Sequence, residues 1–373
     1  MKIGILSLVL HTNYGGILQS YALQTVLERL GHEVVVLNRN RDLHRSFSQQ
    51  ALLYMKYLIR KYLLRRNTTF KTARQQNKER YESEVNTRAF IDKYIHTRTV
   101  TGVTADTFSD MDAVIVGSDQ VWRPRYFKKQ WKSGIENAFL SFLGDAGKKR
   151  IAYAASFGTD EWEYTDEETA RCAELIQKFD AVSVREASAV GLCRERLGYG
   201  SAQHVLDPTL LLSKDDYQRL VANADATKSK GSLMSYILDE TVEKQHLVEQ
   251  IASERVLTPF YTKVPKGCVV PPVEQWLRGF MDAEFVVTDS FHACVFSIIF
   301  GKPFVVVGNQ KRGMSRFDSL LSMFGLESHL ISSSAEYNPR ESYAISADVY
   351  GILESKRKDS VSFLEESLQR RNN

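Results

Sequence analysis

The tract Thr288-Asp289-Ser290-Phe291-His292-Ala293 puts a histidine in the first turn of a helix that follows an apolar strand, Phe285 to Val287. Imidazole is the side chain best suited to proton transfer near neutral pH. A helix N-terminus lowers its pKa unless a bound anion offsets that. Asp289 or Ser290 fits the N-cap of the same helix. Val184-Arg185-Glu186 ends another strand, where an arginine can grip a carboxylate or phosphate with two parallel hydrogen bonds. An Arg185–Glu186 pair is the weaker reading, because neighbours on a strand face opposite ways. Lys311, Arg312 and Arg316 follow a strand that ends near Gly308, and together they could clamp an anion.

Two further turns carry small or polar residues at strand ends. Asn13-Tyr14-Gly15-Gly16 lies between a strand and a helix, where backbone N–H groups bind anions and glycine permits close approach. It is neither GxGxxG nor a P-loop. Gly117-Ser118-Asp119-Gln120-Val121-Trp122 reads as a pocket wall, with Ser118 or Asp119 also fit to cap a following helix. His11, near the Asn13 turn, is a second pocket residue. No metal ligand set and no GxSxG elbow is present, and no nucleic-acid module supports binding of DNA or RNA. The four cysteines are too scattered for a disulfide framework and read as reduced core thiols of a cytoplasmic protein.

The elements that must hold these residues alternate as strand and helix. Lys2 to Val9 reads as a buried parallel strand, Ile17 to Leu30 as a helix closed by Gly31, and Glu33 to Leu37 as the next strand. Strands are expected again at 112–117, 150–155, 181–185 and 204–207. A second set follows at 232–238, 255–260, 285–289 and 303–308. The fold class is therefore α/β: two Rossmann-like doubly wound domains facing a cleft, with ligands at the carboxyl ends of the strands. The expected division is residues 1–221, then 232–340, then a helical segment 341–373 that could pack back on the first domain.

At 373 residues the chain is long enough for two domains, and its 49 Lys+Arg against 45 Asp+Glu leave a net charge of +4. No stretch is long and apolar enough to span a membrane, and the start reads as a strand rather than a signal peptide. The charge is unevenly spread. Residues 39–80 carry 12 Lys+Arg against Asp42 and Glu79, a net of +10 that leaves the remainder at −6. The insertion, residues 41–100, reads as helical. Its stripe Leu52, Met55, Ile59, Tyr62 and Leu63 is expected to pack on the core, with Lys56, Arg60, Lys61 and Arg65 mostly off it. The other reading of 39–80 is peripheral contact with an anionic membrane.

Several motifs in order carry a family likeness: GILSLVLHTNYGGILQSYALQTVLERLGHEV, DAVIVGSDQVW, IAYAASFG, VSVRE, HVLDPTLLL and VVTDSFHACVFSIIFGKPFVVV. Over residues 1–40 and 110–330 the chain resembles the polysaccharide pyruvyl transferase family. That resemblance implies a fold similar to the two-domain GT-B glycosyltransferases, with the active site between the domains. It implies transfer of the pyruvyl unit of phosphoenolpyruvate onto a sugar as a ketal, with no cofactor beyond that donor. His292 is then the expected general acid and Arg185 the expected holder of donor phosphate or carboxylate. Where family members often have Arg-Leu-His, this chain has Ser290-Phe291-His292, and Arg312 or Arg316 is expected to supply the missing charge. Many members have Asn-x-Gly-Asp where this chain has Asn13-Tyr14-Gly15-Gly16. The acceptor is expected to be a sugar or a lipid-linked oligosaccharide of a surface-glycan precursor. A nucleotide-sugar glycosyltransferase, with aromatics near Trp122 stacking a base, is the alternative. A non-enzymatic protein that docks on a membrane or partner is the third.

Overall fold

The computed structural model describes residues 1–65, 69–265, 267–308 and 313–369. The first sheet is built from β1 (Lys2–Leu6), β2 (Glu33–Arg39), β3 (Thr97–Val100), β4 (Ala113–Val116), β5 (Lys149–Ala155), β6 (Ala181–Val184) and β7 (Gln203–His204). All its pairings are parallel, in the order β3-β2-β1-β4-β5-β6-β7. Its helices are α1 (Tyr14–Arg29), α2 (Phe47–Leu58), α3 (Ala73–Ser83), α4 (Val85–Tyr94), α5 (Pro124–Trp131), α6 (Asp166–Ile176), α7 (Ala187–Leu197) and α8 (Lys214–Ala222).

The second sheet holds β8 (Leu233–Tyr236), β9 (Pro259–Tyr261), β10 (Phe285–Thr288), β11 (Phe304–Val307) and β12 (Leu330–Ile331), all parallel, in the order β12-β11-β10-β8-β9. Its helices are α9 (Val242–Glu254), α10 (Val273–Asp282), α11 (Phe291–Phe300), α12 (Ser315–Phe324) and the terminal α13 (Ala347–Gln369). Two doubly wound parallel sheets are therefore present, as the alternation of elements implies.

The strand order reverses between β1 and β4 in one sheet and between β8 and β10 in the other. Open parallel sheets bind ligands at such switch points, where the loops diverge and leave a crevice. Asn13 and Gly117 lie beyond the first pair of strand ends, and Asp289 beyond the second.

A shared core joins the two sheets. Tyr14 of α1 stacks on Trp276 of α10 with ring centroids 5.2 Å apart, and its hydroxyl donates to the Pro271 carbonyl at 2.8 Å. Helix α13 returns to the first sheet, where Phe363 meets Tyr153 of β5 and Ser360 Oγ accepts from the Leu206 N–H at 3.0 Å.

Local departures from the sequence reading have physical causes. Helix α1 begins at Tyr14, three residues earlier than expected, so Gly15 and Gly16 lie in its first turn rather than ahead of it. Residues 39–100 are not wholly helical: β-branched Thr97, Thr99 and Val100 help form the edge strand β3 beside β2. Arg255 and Val256 end α9, Val256 at φ +55°, so the following strand starts only at Pro259. Cys172, Cys193 and Cys294 are buried, whereas Cys268 is exposed.

The largest correction concerns α2. None of its residues is buried, and Leu52, Met55, Ile59, Tyr62 and Leu63 face solvent instead of the core. Periodicity made the face apolar, but its side chains remain 48–79% exposed.

Candidate active site

Strand β10 is buried along its whole length and delivers Asp289, Ser290 and His292 to the switch point of the second sheet. Asp289 does not cap α11. Its carboxylate accepts from the Leu238 and Asp239 N–H groups and from Lys244 Nζ at 2.7 Å, tying the loop after β8 to β10. Ser290 occupies the N-cap position without a side-chain hydrogen bond.

His292, in the first turn of α11, lies against Gly15 in the first turn of α1. A Cβ on residue 15 would fall 2.0 Å from His292 Nδ1, so only glycine fits there. The two helix N-termini thus meet directly, and neither has an acidic residue in its first turn. Their unpaired N–H groups and dipoles favour an anion at the junction.

Arg185, beyond β6, is almost fully buried. Its Nη1 donates to Asp207 Oδ2 at 3.1 Å and its Nη2 to Ser156 Oγ at 3.1 Å, with Asp119 at 3.8 Å. Its closest approach to Glu186 is 3.9 Å, and Glu186 instead accepts from Ser156 Oγ and the Gly158 N–H. The Arg185 guanidinium lies 4.7 Å from the centre of the Phe291 ring, and that of Arg316, from α12, lies 5.5 Å from it. Phe291 therefore presents its π-face to two cations next to His292. Arg312 lies outside the described residues.

Asp207 links these groups. Its Oδ1 accepts from the Thr209 N–H and hydroxyl, and its Oδ2 accepts from Gln19 of α1 and Arg185. His292 Nε2 lies 3.7 Å from the same Oδ2. Burial alone would raise the Asp207 carboxyl; His292, Arg185 and Thr209 outweigh it and hold the carboxyl below its usual range. For Arg185, burial opposes the charge, but Asp207, Asp119 and Glu186 keep it raised. Burial brings His292 down to about 4, Arg185 and Arg316 add to that, and Asp207 and Asp119 oppose it. The imidazole is thus neutral at pH 7.

This has a measurable consequence for stability. The unfolded histidine titrates near its ordinary value of 6.5 and the native one near 4. Its contribution is therefore intact above pH 6.5 and is lost as pH falls toward 4, because the unfolded chain binds the proton first. His11 and His329 shift in the same direction, so the test is a difference. Thermal melts at pH 7 and pH 5 should show wild type losing more stability than His292→Gln. Equal losses would mean that His292 is solvated.

At the first sheet's switch point, Asn13 Nδ2 donates to Asp119 Oδ2 at 3.4 Å. A Cβ on Gly16 would stand 3.1 Å from Asn13 Nδ2 and 3.6 Å from Asp119 Oδ2. Asp119 sits at φ +57°, an unfavourable backbone for a residue with a side chain. Neither Ser118 nor Asp119 caps a helix, because α5 starts only at Pro124 with Arg123 at its N-cap. Trp122 is not a pocket wall either: it is fully buried, stacked on Phe139 at 4.7 Å, with Nε1 donating to Ala138. The buried polar atoms without a hydrogen-bond partner among the described residues include Ser118 Oγ, His292 Nε2, Gln19 Oε1, Arg185 Nε and Glu186 Oε2 of this site. An unsatisfied buried group costs about 1–3 kcal/mol, so a bound ligand is its natural partner.

Sequence reasoning placed Asn13, Gly15, Gly16, Ser118, Asp119, Arg185, Ser290, His292 and Arg316 at strand ends, and these residues converge on the facing ends of the two sheets. It did not single out Asp207, Gln19 or Ser156. Asp207 read only as the end of the strand expected at 204–207, although that place was a usable signal. Beside this cleft, His11 lines a polar cavity of about 240 Å³ together with Asn38, Asn40, Asp42, Tyr81 and Glu84.

A family model described as polysaccharide pyruvyl transferase matches residues 13–311. The chain belongs to that family. No curated protein matches it. Among solved structures, the UDP-GlcNAc 2-epimerase from Neisseria meningitidis bound to UDP-GlcNAc superposes with a TM-score of 0.50 at 10% identity, covering 99% of each chain. The UDP-GlcNAc 2-epimerase from Methanocaldococcus jannaschii gives a TM-score of 0.44 at 11% identity, covering 100% of this chain and 94% of that one. With its two parallel sheets and the first of these likenesses, the fold of this pyruvyl transferase family member is GT-B-like. Among the described residues no helix is long and apolar enough to cross a membrane, and no group of three or more His, Cys, Asp or Glu is placed to hold a metal ion.

Proposed function

We propose that the chain transfers the pyruvyl unit of phosphoenolpyruvate onto two hydroxyls of a sugar in a surface-glycan precursor, forming a ketal. The observation that carries this reading is the junction of the two helix N-termini at His292, whose Nε2 lies 3.7 Å from Asp207 and has no hydrogen-bond partner among the described residues. An anion bound there meets backbone N–H groups, the Arg316 charge and an imidazole in reach of a proton transfer.

In this scheme protonated His292 gives its Nε2 proton to the methylene carbon of the donor, which becomes a methyl group. The C2 carbon turns electrophilic and a sugar hydroxyl attacks it. Phosphate leaves with its C–O bond electrons. A second hydroxyl then closes the ketal. Of the two protons released by the hydroxyls, one restores His292 and the other goes to phosphate. Arg316 fills the role of the arginine that often stands two residues before the histidine in relatives, from a different helix. Arg185 holds Asp207 beside His292 and adds positive charge. The polar cavity at His11, next to Asn13, is the place proposed for the acceptor sugar.

The neutral histidine fits this scheme only if the donor charges it. Phosphate and carboxylate placed beside His292 raise its pKa from about 4, so donor binding should draw a proton from solvent at pH 7. Calorimetry in two buffers of different ionisation heat should show phosphoenolpyruvate binding with net proton uptake, which disappears in His292→Gln. Ligand at about 100 times its dissociation constant should also stabilise the protein by about 2.7 kcal/mol. If millimolar phosphoenolpyruvate produces neither heat nor a thermal shift while a nucleotide-sugar does, the donor assignment is wrong.

A further inference from the structure

We infer that α2 and the π-helical turn continuing it form a docking face for an anionic lipid surface. The helix starts on its own terms. Ser46 accepts from the Gln49 N–H and the Gln49 side chain accepts from the Ser46 N–H, a complete capping box. The coil runs on through Ile59–Leu63 as a π-helix, roughly 25 Å in all. On one side it meets the segment that leads to α3, where Tyr54 and Tyr57 meet Phe70 at 5.1 and 5.8 Å. Leu52, Met55, Ile59, Tyr62 and Leu63 remain exposed, as does Phe47 at the start of the helix, with Phe47 91% and Leu63 79% exposed.

A helix that exposes this much apolar surface needs a partner, and its charges identify one. Between Asp42 and Glu79 there is no acidic residue. Lys56, Arg60, Lys61 and Arg65 are all exposed on the same coil, Lys61 with its Nζ donating to the Tyr57 hydroxyl at 3.0 Å. A second copy docking through the same face would set cations against cations. A bilayer with anionic headgroups instead takes the apolar side chains at the headgroup–acyl boundary, while the long stems of lysine and arginine reach the phosphates. Tyr62 suits that boundary, with an apolar ring and a polar tip.

The docking itself does not depend on the reaction in the cleft. It does bear on the acceptor, and that consequence rests on the proposed chemistry. Residues 39–42 leave β2, line the His11 cavity and lead directly toward α2. A docked α2 would bring that cavity close to the lipid surface, as a lipid-linked sugar requires.

The test is sedimentation of the full chain with vesicles of phosphatidylcholine alone and of phosphatidylcholine mixed with phosphatidylglycerol. Wild type should sediment with the mixed vesicles, more weakly in high salt, and not with phosphatidylcholine alone. Two variants should each lose at least about tenfold in binding: Met55→Ser/Ile59→Ser/Leu63→Ser, and Lys56→Gln/Arg60→Gln/Lys61→Gln/Arg65→Gln. The substituted side chains are exposed, so the melting temperature and phosphoenolpyruvate binding should stay at wild-type values. Absence of binding to the mixed vesicles overturns the inference, as does binding that neither variant weakens. So does a wild-type dimer that the serine variant converts to monomer without any vesicle binding, which would assign the face to a second copy.

Discussion

Exchanging His292 for glutamine should lower turnover by about 10²–10⁴-fold, the usual cost of losing a general acid, while phosphoenolpyruvate still binds. Gly15→Ala should approach that loss without touching an ionisable group. The added methyl would stand 2.0 Å from Nδ1, so the imidazole has to leave the junction of α1 and α11. A displacement of about 1 Å in a reacting group can cost about 10²-fold. Alanine is also a better helix former than glycine, by about 0.5–1 kcal/mol, which offsets part of the clash in the melting temperature. The combination distinguishes a catalytic cause from general damage. If Gly15 acts only by leaving room for the ring, Gly15→Ala adds little on top of His292→Gln, because both act through one group. Steady-state rates of the two single variants and the double variant decide this. Full activity in Gly15→Ala would sever the link between the two helix ends that the proposed chemistry requires.

The residues of this site were legible because chemistry in a doubly wound fold gathers at strand ends, and strand ends can be read from short apolar runs. His292, Arg185 and the Asn13 turn were found in that way. What remained hidden depends on long-range pairing. Asp207 meets Arg185 across 22 positions and Gln19 across 188. No local pattern reports that a carboxylate after one strand will lie beneath a histidine from the other sheet. Trp122 shows the opposite failure: its position suggested a pocket wall, but Phe139 from a separate turn covers it. The stripe on α2 failed for a third reason. A period of 3.6 tells which face of a helix is apolar, whereas whether that face is covered depends on what the rest of the chain brings to it.

Arg185→Gln should be the most destabilising of the substitutions considered, and its pH dependence should reveal why. Removing the guanidinium leaves Asp207, Asp119 and Glu186 near one another in a buried site, and breaking a buried pair in this way costs about 3–5 kcal/mol. In wild type the Asp207 carboxyl is held below its usual range, so its contribution is present above the ordinary carboxylate pKa and is lost as pH falls through the lowered native value. In the variant Asp207 loses one of the partners that offset its burial and titrates higher than in wild type, so acid costs the variant less. His292 changes in the same sense: without the Arg185 charge it accepts a proton more readily and can pair with Asp207 from 3.7 Å. The stability gap between wild type and Arg185→Gln should therefore narrow from pH 7 to pH 5, as read by denaturant unfolding at each pH. Arg185→Lys retains the charge but not the forked donors that reach Asp207 and Ser156 together, so it should recover only part of the loss. A gap that is constant with pH would mean that Arg185 stabilises the fold by packing on Phe291 rather than by holding the buried carboxylates.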